Sequence, residues 1–418
     1  MNMEDRTSAA LRIDGERLVA RLAELAAIGA IENSGCCRLA LSDDDRRGRD
    51  LVVGWMRELG LEVSIDPIGN VFGRRAGSAA DAAPVMTGSH IDTVRTGGRY
   101  DGNLGVLGGL EVVATLNDAG ITTRRPLVVA FFTDEEGARF APDMLGSLTH
   151  VGGLALDQAL ATVAIDGKVL GAELTTIGYA GTAALGEPRA HAFVELHIEQ
   201  GPVLNIEGLT IGAVENVQGI SWQELEIVGQ SNHAGTTPMR LRHDAGYCAG
   251  EIVHFVRSLA REMQGNQVAT VGKIDLFPNL INVIAARATL TVDLRNTDEQ
   301  LLLEAEARLA AFLLQLARDE GVKISTRSLA RFEPVNFDQG VVRTIAEVSA
   351  RLGYSQRRIS SGAGHDAQML ARVCPTAMIF VPSIKGISHN PAEETAAADL
   401  AAGANVLLHT MLELASAE

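Results

Sequence analysis

The chain has 418 residues, 46% of them hydrophobic and 21% charged, a globular composition with enough length for two or three domains and a large core. Its formal net charge of −16 argues against nucleic acid or an anionic membrane as the main partner, and an anionic small molecule would have to be drawn in by a local positive group. No apolar run approaches the roughly 18 to 20 residues of a membrane span, and the acidic start MNMEDRTSAALRIDGERL lacks the basic and apolar regions of a signal peptide.

In chain order, GERLVARLAELAAIG (15–29) and DDRRGRDLVVGWMRELG (44–60) have helical apolar spacing. APVMTGSHID (83–92), RPLVVAFFTDEEG (125–137) and HAFVELHIEQG (191–201) are short apolar runs with β-branched and aromatic residues, each followed by polar residues. They read as buried strands of an α/β sheet, with LGVLGGLEVVATLNDAG (104–120) as a crossover helix. The style changes after about residue 211. SWQELEIVG, NQVATVGKIDL, ARATLTVDLRN and VKISTRSLAR read as strands, and DAGYCAGEIVHFVRSLAREM and DEQLLLEAEARLAAFLLQLARDEG as helices. Their order is β-α-β-β-α-β, a ferredoxin-like unit. The α/β style then resumes with a helix at VVRTIAEVSARLG, a strand at PTAMIFVPS and a C-terminal helix from about 396. The expectation is a domain made of 1–211 and 331–418, with 212–330 inserted in it. Cys36, Cys37, Cys248 and Cys374 show neither zinc-finger spacing nor a framework pattern; reduced, buried thiols and a cytoplasmic location are expected.

Four strand ends carry acidic residues or histidines. His90 and Asp92 close the first run, with Asp101 in the Gly-rich loop GSHIDTVRTGGRYDG; Glu135 and Glu136 follow the second, His197 and Glu199 the third, and His389 the last. In open α/β sheets, ligands gather at the carboxyl ends of the strands. Taken singly, His90 reads as a surface or hydrogen-bonded histidine, DEEG as a solvated turn and RTGGRYDGNLG as a plain loop without the spacing of a dinucleotide fingerprint. Together, imidazoles and carboxylates suit zinc, manganese, cobalt or nickel, and a carboxylate such as Asp101 could be shared by two ions. Within the Glu135–Glu136 pair, one residue could ligate while the other takes a proton from water. In the inserted domain, His233 in SNHAGTTP is either a turn residue or a functional one. Arg295 is either a surface ion pair or a fork for a substrate carboxylate. In GAGHDAQML, Gly362 and Gly364 would admit a ligand close to the backbone, with His365 or Asp366 as a helix cap.

These segments resemble the dinuclear-metal amidohydrolases related to aminoacylases and carboxypeptidase G. Within them the resemblance is to the branch of N-carbamoyl-L-amino-acid hydrolases, allantoate amidohydrolases and β-ureidopropionases. GSHIDTVRTGGRYDGNLG, FFTDEEGARF, ELHIEQGPVL, SNHAGTTPM, NVIAARATLTVDLRN, SGAGHDAQML and SHNPAE match in family order, from about residue 40 to residue 394. HIEQGP with SNHAGTTPM is more specific to the branch than His-x-Asp alone.

The resemblance implies an aminopeptidase-like α/β catalytic domain with a mostly parallel sheet, and a ferredoxin-like lid that also dimerises. It implies two divalent ions held by His90, Asp101, Glu136, His197 and His389, with Asp101 shared. Asp92 would orient His90, and Glu135 would be the general base. Gln200, His233, Asn282, Arg295 and the backbone at Gly362 and Gly364 would meet substrate, His233 across a dimer interface in some relatives. Trp222, in QGISWQ, stands where allantoate amidohydrolases carry a polar contact, which favours an amino-acid side chain over a second ureido group. The expected reaction is hydrolysis of the ureido group of an N-carbamoyl-L-amino acid by a homodimer. Allantoate amidohydrolase and β-ureidopropionase are the alternatives, then an N-acyl deacylase or peptidase, then a binding protein with a relict site; the retained Glu135 weighs against the last.

Overall fold

A computed structural model of the chain describes residues 10–416. The acidic stretch from Met1 to Ala9, on which the expected lack of a signal peptide partly rests, lies outside the described residues. The chain divides into two compact units, one of residues up to 215 and from 337 onward, the other Asn216–Asn336.

In the first unit the strands are β1 (Glu62–Ile65), β2 (Val71–Arg75), β3 (Val85–His90), β4 (Leu127–Phe132), β5 (Ala192–Ile198) and β6 (Ile211–Val217). β4, β3 and β5 lie side by side in parallel, and a later strand, Thr376–Val381, continues the parallel set beyond β5. β1, β2 and β6 flank this centre antiparallel. The sheet is thus parallel at its middle, where every residue of the four strands is buried. Their largely apolar sequences need cover on both faces, and polar residues among them, including Thr87, Ser89, His90, Glu195 and His197, are buried with them.

The crossover helix Asn103–Asp118 supplies part of that cover and is buried along nearly its whole length. It packs on β3, on β5 and on the C-terminal helix Ala397–Ser416. Its glycines let it come close: a Cβ at Gly105 would lie 2.6 Å from the Leu196 carbonyl oxygen. Part of the glycine run after His90 therefore serves helix–sheet packing rather than a turn.

The second unit holds β7 (Gly219–Val228), β8 (Val268–Phe277), β9 (Arg287–Asn296), β10 (Lys323–Phe332) and a two-residue β11 (Val335–Asn336). The order β10-β7-β9-β8 is antiparallel throughout, with helices Ala245–Met263 and Glu299–Glu320 in the β-α-β-β-α-β sequence. Asp244 and Asp298 cap these helices, each accepting two backbone amides. In β9 alternate residues point to the helices, so Leu290, Val292 and Leu294 join the core with Ile252, Val256, Leu302 and Leu309. Asp293 and Arg295 are left on the other face. The remaining strands of the chain are β12 (Gln356–Ser361), which pairs with β6, and β13 (Thr376–Val381), the parallel strand beside β5.

No described helix is long and apolar enough to cross a membrane. The four cysteines are unpaired; Cys36 and Cys248 are buried as expected, whereas Cys37 and Cys374 are only half-buried.

Candidate active site

The four parallel strands end on one edge of the sheet, and each delivers a chemically active residue there. β3 ends at His90, β4 is followed by Glu135 and Glu136, β5 contains His197, and β13 leads into the loop of His389. Asp101 comes from the loop between β3 and the helix Asn103–Asp118.

Asp101 is the common member. Its Oδ1 lies 3.1 Å from His197 Nε2 and 3.6 Å from His90 Nε2. Its Oδ2 lies 3.6 Å from His389 Nε2, which is itself 3.3 Å from Glu136 Oε2. Two donor groups result, His90–Asp101–His197 and Asp101–Glu136–His389. Glu135 Oε2 sits 3.4 Å from His90 Nε2.

The hydrogen bonds fix the tautomers. His90 Nδ1 is 2.9 Å from the Asp92 carbonyl oxygen, and His197 Nδ1 is 2.8 Å from that of Ile198. Both Nδ1 atoms must donate, so a neutral ring turns its Nε2 lone pair toward Asp101. A lone pair facing a carboxylate oxygen is repulsive unless a proton or a cation lies between. The electrostatics point the same way. Burial opposes protonation of both rings, yet Glu135 and Asp101 raise His90 well above its ordinary value, and Asp101 raises His197. Burial likewise opposes ionisation of Asp101, but His197 and His90 hold it well below the carboxylate range. Glu135 and Glu136 are pushed far upward, by burial first, then by Asp366 for Glu135 and by Asp101 for Glu136. A crowd of buried carboxylates around imidazole lone pairs is a donor set that fits divalent cations.

Several residues stand differently from expectation. The Asp92 carboxylate was expected to hold His90, but its backbone carbonyl does so. The carboxylate instead accepts the amides of Glu135 and Glu136, both at 3.3 Å. Gln200, expected at substrate, donates from Nε2 to Asp101 Oδ2 at 2.8 Å. His365 is the N-cap residue of the short helix Asp366–Leu370, yet neither it nor Asp366 caps through its side chain. Glu195 Oε2 accepts the Ala367 amide there at 2.8 Å, and His365 Nε2 meets Ser361 Oγ at 2.8 Å. A Cβ at Gly362 would meet open space, while one at Gly364 would touch the Met144 thioether.

His233, Trp222, Asn282 and Arg295 belong to the second unit. His233 Nδ1 accepts the amides of Gly235 and Thr236, which leaves Nε2 as a donor, and its segment pairs with that of Asn282 through Ala234 N and Asn282 O at 3.0 Å. Both side chains are exposed. Arg295 is held by the Asp293 carboxylate at 3.0–3.1 Å and lies over the Trp222 ring, 5.8 Å from its centre.

Residues that sequence reasoning passed over also bear on the site. Glu195, two positions before His197 in a segment already singled out, forms a third donor group with His197 and His365. Arg38 is fully buried and donates to the Ile91 carbonyl at 2.7 Å and to Asn103 Oδ1 at 2.8 Å, bracing both ends of the Asp101 loop. Glu393, in the segment after His389, accepts the Asp101 amide.

The comparisons agree with this geometry. Residues 86–413 match peptidase family M20/M25/M40. The chain belongs to this family and is a hydrolase. It is 43% identical over 404 residues to an N-carbamoyl-L-amino-acid amidohydrolase of Rhizobium meliloti, covering 97% of each chain. It is 36% identical over 393 residues to an allantoate amidohydrolase of Escherichia coli (strain K12), covering 94% of this chain and 96% of the relative. The crystal structure of an amidase of the hydantoinase/carbamoylase family from Burkholderia multivorans superposes with a TM-score of 0.95 at 47% identity, covering 98% of this chain and 99% of that one.

Proposed function

We propose that the protein hydrolyses the ureido C–N bond of N-carbamoyl-L-amino acids, giving the amino acid, carbon dioxide and ammonia. The observation that carries this is the pairing of two donor groups on Asp101 with Glu135 beside them, in a chain whose similarity to a carbamoyl-amino-acid amidohydrolase runs nearly end to end. His90 and His197 would hold one divalent ion and Glu136 and His389 another, with Asp101 common to both; zinc, manganese, cobalt and nickel suit this set. Such ions supply Lewis acidity, which polarises a carbonyl and acidifies water. Glu135 then takes a proton from the attacking water at Oε2 and returns it to the leaving nitrogen. Asp92 fixes the Glu135–Glu136 backbone through its carboxylate.

The unit Asn216–Asn336 is assigned the role of lid and dimerisation domain. His233 would donate from Nε2 to the substrate carbonyl, and Arg295 and Asn282 would bind the substrate carboxylate. Gln200, Trp222, Gly362 and Gly364 complete the substrate-binding set. The assembly would be a homodimer, visible by light scattering, and four unpaired cysteines suit the cytoplasm.

Allantoate hydrolysis is the second reading, favoured by the Escherichia coli relative. A kinetic panel of N-carbamoyl amino acids, allantoate, N-carbamoyl-β-alanine and N-acetyl amino acids separates the two, run with each metal. The carbamoyl amino acids should be preferred, and Trp222→Gln should move the ratio toward allantoate. A wild type that turns over allantoate faster than every carbamoyl amino acid would overturn the substrate and leave the metal reading standing.

A further inference from the structure

A buried carboxylate outside both donor groups ties together the two loops that carry Asp101 and His389. Glu393 is 3% exposed. Its Oε1 accepts the backbone amides of Tyr100 at 3.0 Å and Asp101 at 3.2 Å. Its Oε2 lies 3.0 Å from the Ser388 hydroxyl, which is also 3.0 Å from Asp101 Oδ2. Glu393 therefore grips Asp101 through its backbone amide, and the one Ser388 hydroxyl proton, beside His389, is shared between the Glu393 and Asp101 carboxylates. Gly98 makes the room: a Cβ there would lie 2.1 Å from the Glu393 carboxylate. At the surface, Glu394 fastens the same loops through Arg99 at 2.9 Å and the Tyr100 hydroxyl at 3.4 Å.

We propose that Glu393, acting with Ser388, is a positioning residue that sets the Asp101 carboxylate and the His389 loop for the ion shared by Asp101, Glu136 and His389. The proposal rests on the metal reading above. Without the Glu393 side chain, the amides of Tyr100 and Asp101 lose their buried acceptor, and Asp101 Oδ2 loses its orientation relative to His389. A glutamine preserves the grip, because its Oε1 accepts both amides and its amide group faces the Ser388 oxygen.

The test is ion binding by the full-length chain, followed by metal analysis and by competition between Mn²⁺ and a chromogenic chelator. Wild type should take two ions. Glu393→Ala should bind one of them about 10- to 100-fold more weakly, the range typical when a partner of a ligand is removed, and the other within a few-fold. Glu393→Gln should restore both, which a general loss of packing would not allow. If Glu393→Ala does not fold, Ser388→Ala decides: selective weakening of one ion supports the proposal, and unchanged binding overturns it. A folded Glu393→Ala chain with two ions at wild-type affinity also overturns it, with the metal reading intact. A wild type that binds no divalent ion overturns the metal reading and this proposal with it.

Discussion

Gly102→Ala is a direct test of how tightly the site is built. Gly102 follows Asp101 and opens the helix Asn103–Asp118 at φ 66° and ψ −48°, a conformation costly for any residue with a Cβ. A methyl there would start 2.4 Å from the His90 imidazole. Carbon contacts closer than 3.0 Å are essentially never seen and ordinary contact begins at 3.4 Å, so the ring must retreat by between 0.6 and 1.0 Å. Metal–ligand distances tolerate only about 0.2 Å. The variant should therefore lose affinity for the ion of the His90–Asp101–His197 group by at least about 100-fold, more than removal of an outer partner costs. Backbone strain adds about 1–3 kcal/mol of destabilisation. Gly178→Ala separates the two effects: Gly178 has φ 79° and nothing within 4 Å of an added Cβ, so it takes strain without collision. Isothermal titration of metal-free protein, with thermal melts alongside, measures both. Gly102→Ala should fail to bind one ion, whereas Gly178→Ala should lose only stability. Two ions bound at wild-type affinity by Gly102→Ala would refute the placement of His90 as a ligand.

Other expectations follow from the same geometry. Exhaustive chelation should abolish activity and a suitable divalent ion should restore it, as metal analysis alongside rate assays will report. Glu135→Gln should keep its metal while kcat falls about 10²- to 10⁴-fold, whereas Glu136→Gln should lose one ion; reversed phenotypes would exchange the two roles. Arg295→Lys cannot reproduce a planar fork held by Asp293 over Trp222. It should lower kcat/KM about ten- to a hundredfold, the equivalent of one charged hydrogen bond at roughly 1.5–3 kcal/mol, with metal content unchanged.

What the sequence made legible was what a continuous local signal carries. The four central strands are rich in apolar residues, and each starts within two residues of its expected limit, whereas the segments at 125–137 and 191–201 run past the observed strands into the loops that follow. The β-α-β-β-α-β order survived intact because its helices are long and amphipathic with aspartate caps. β1, β2 and β12, reading EVSI, VFGRR and QRRISS, are short, mixed in polarity and only partly buried, so nothing in them outweighed a loop. The inserted unit begins four residues later and ends six later than expected, because β6 keeps the chain in the central sheet past residue 211 and β10 and β11 run on past residue 330.

At the site, histidines and carboxylates at strand ends were legible by type. Their partners were not, because those partners are backbone amides and hydroxyls brought in from far along the chain. Glu393 reaches the Asp101 amide across 292 positions, and no spacing rule encodes that. Asp92 is a local case: its backbone carbonyl, rather than its carboxylate, makes the 2.9 Å contact with His90 Nδ1, and Oδ1 stands 4.0 Å away.

Three residues at the site hold a strained backbone conformation. Asp134, Gln200 and His389 all have positive φ, at 56°, 57° and 52°. Asp134 immediately precedes the glutamate pair, Gln200 holds Asp101, and His389 belongs to a donor group. Each such residue costs of order 1–3 kcal/mol and persists only where the surroundings over-determine it. Parallel strands explain the need. They leave the sheet pointing the same way, so side chains beyond their ends diverge unless the chain reverses abruptly. A single left-handed residue achieves that reversal within one peptide, and Gly102 does the same after Asp101. The hydrogen bonds of Asp92, Gln200, Ser388 and Glu393 then lock the reversed loops to one another. Convergence of four strand ends on Asp101 is thus achieved by strained turns held in place by buried polar contacts, and the weakness of any one contact should appear first as loss of an ion rather than loss of the fold.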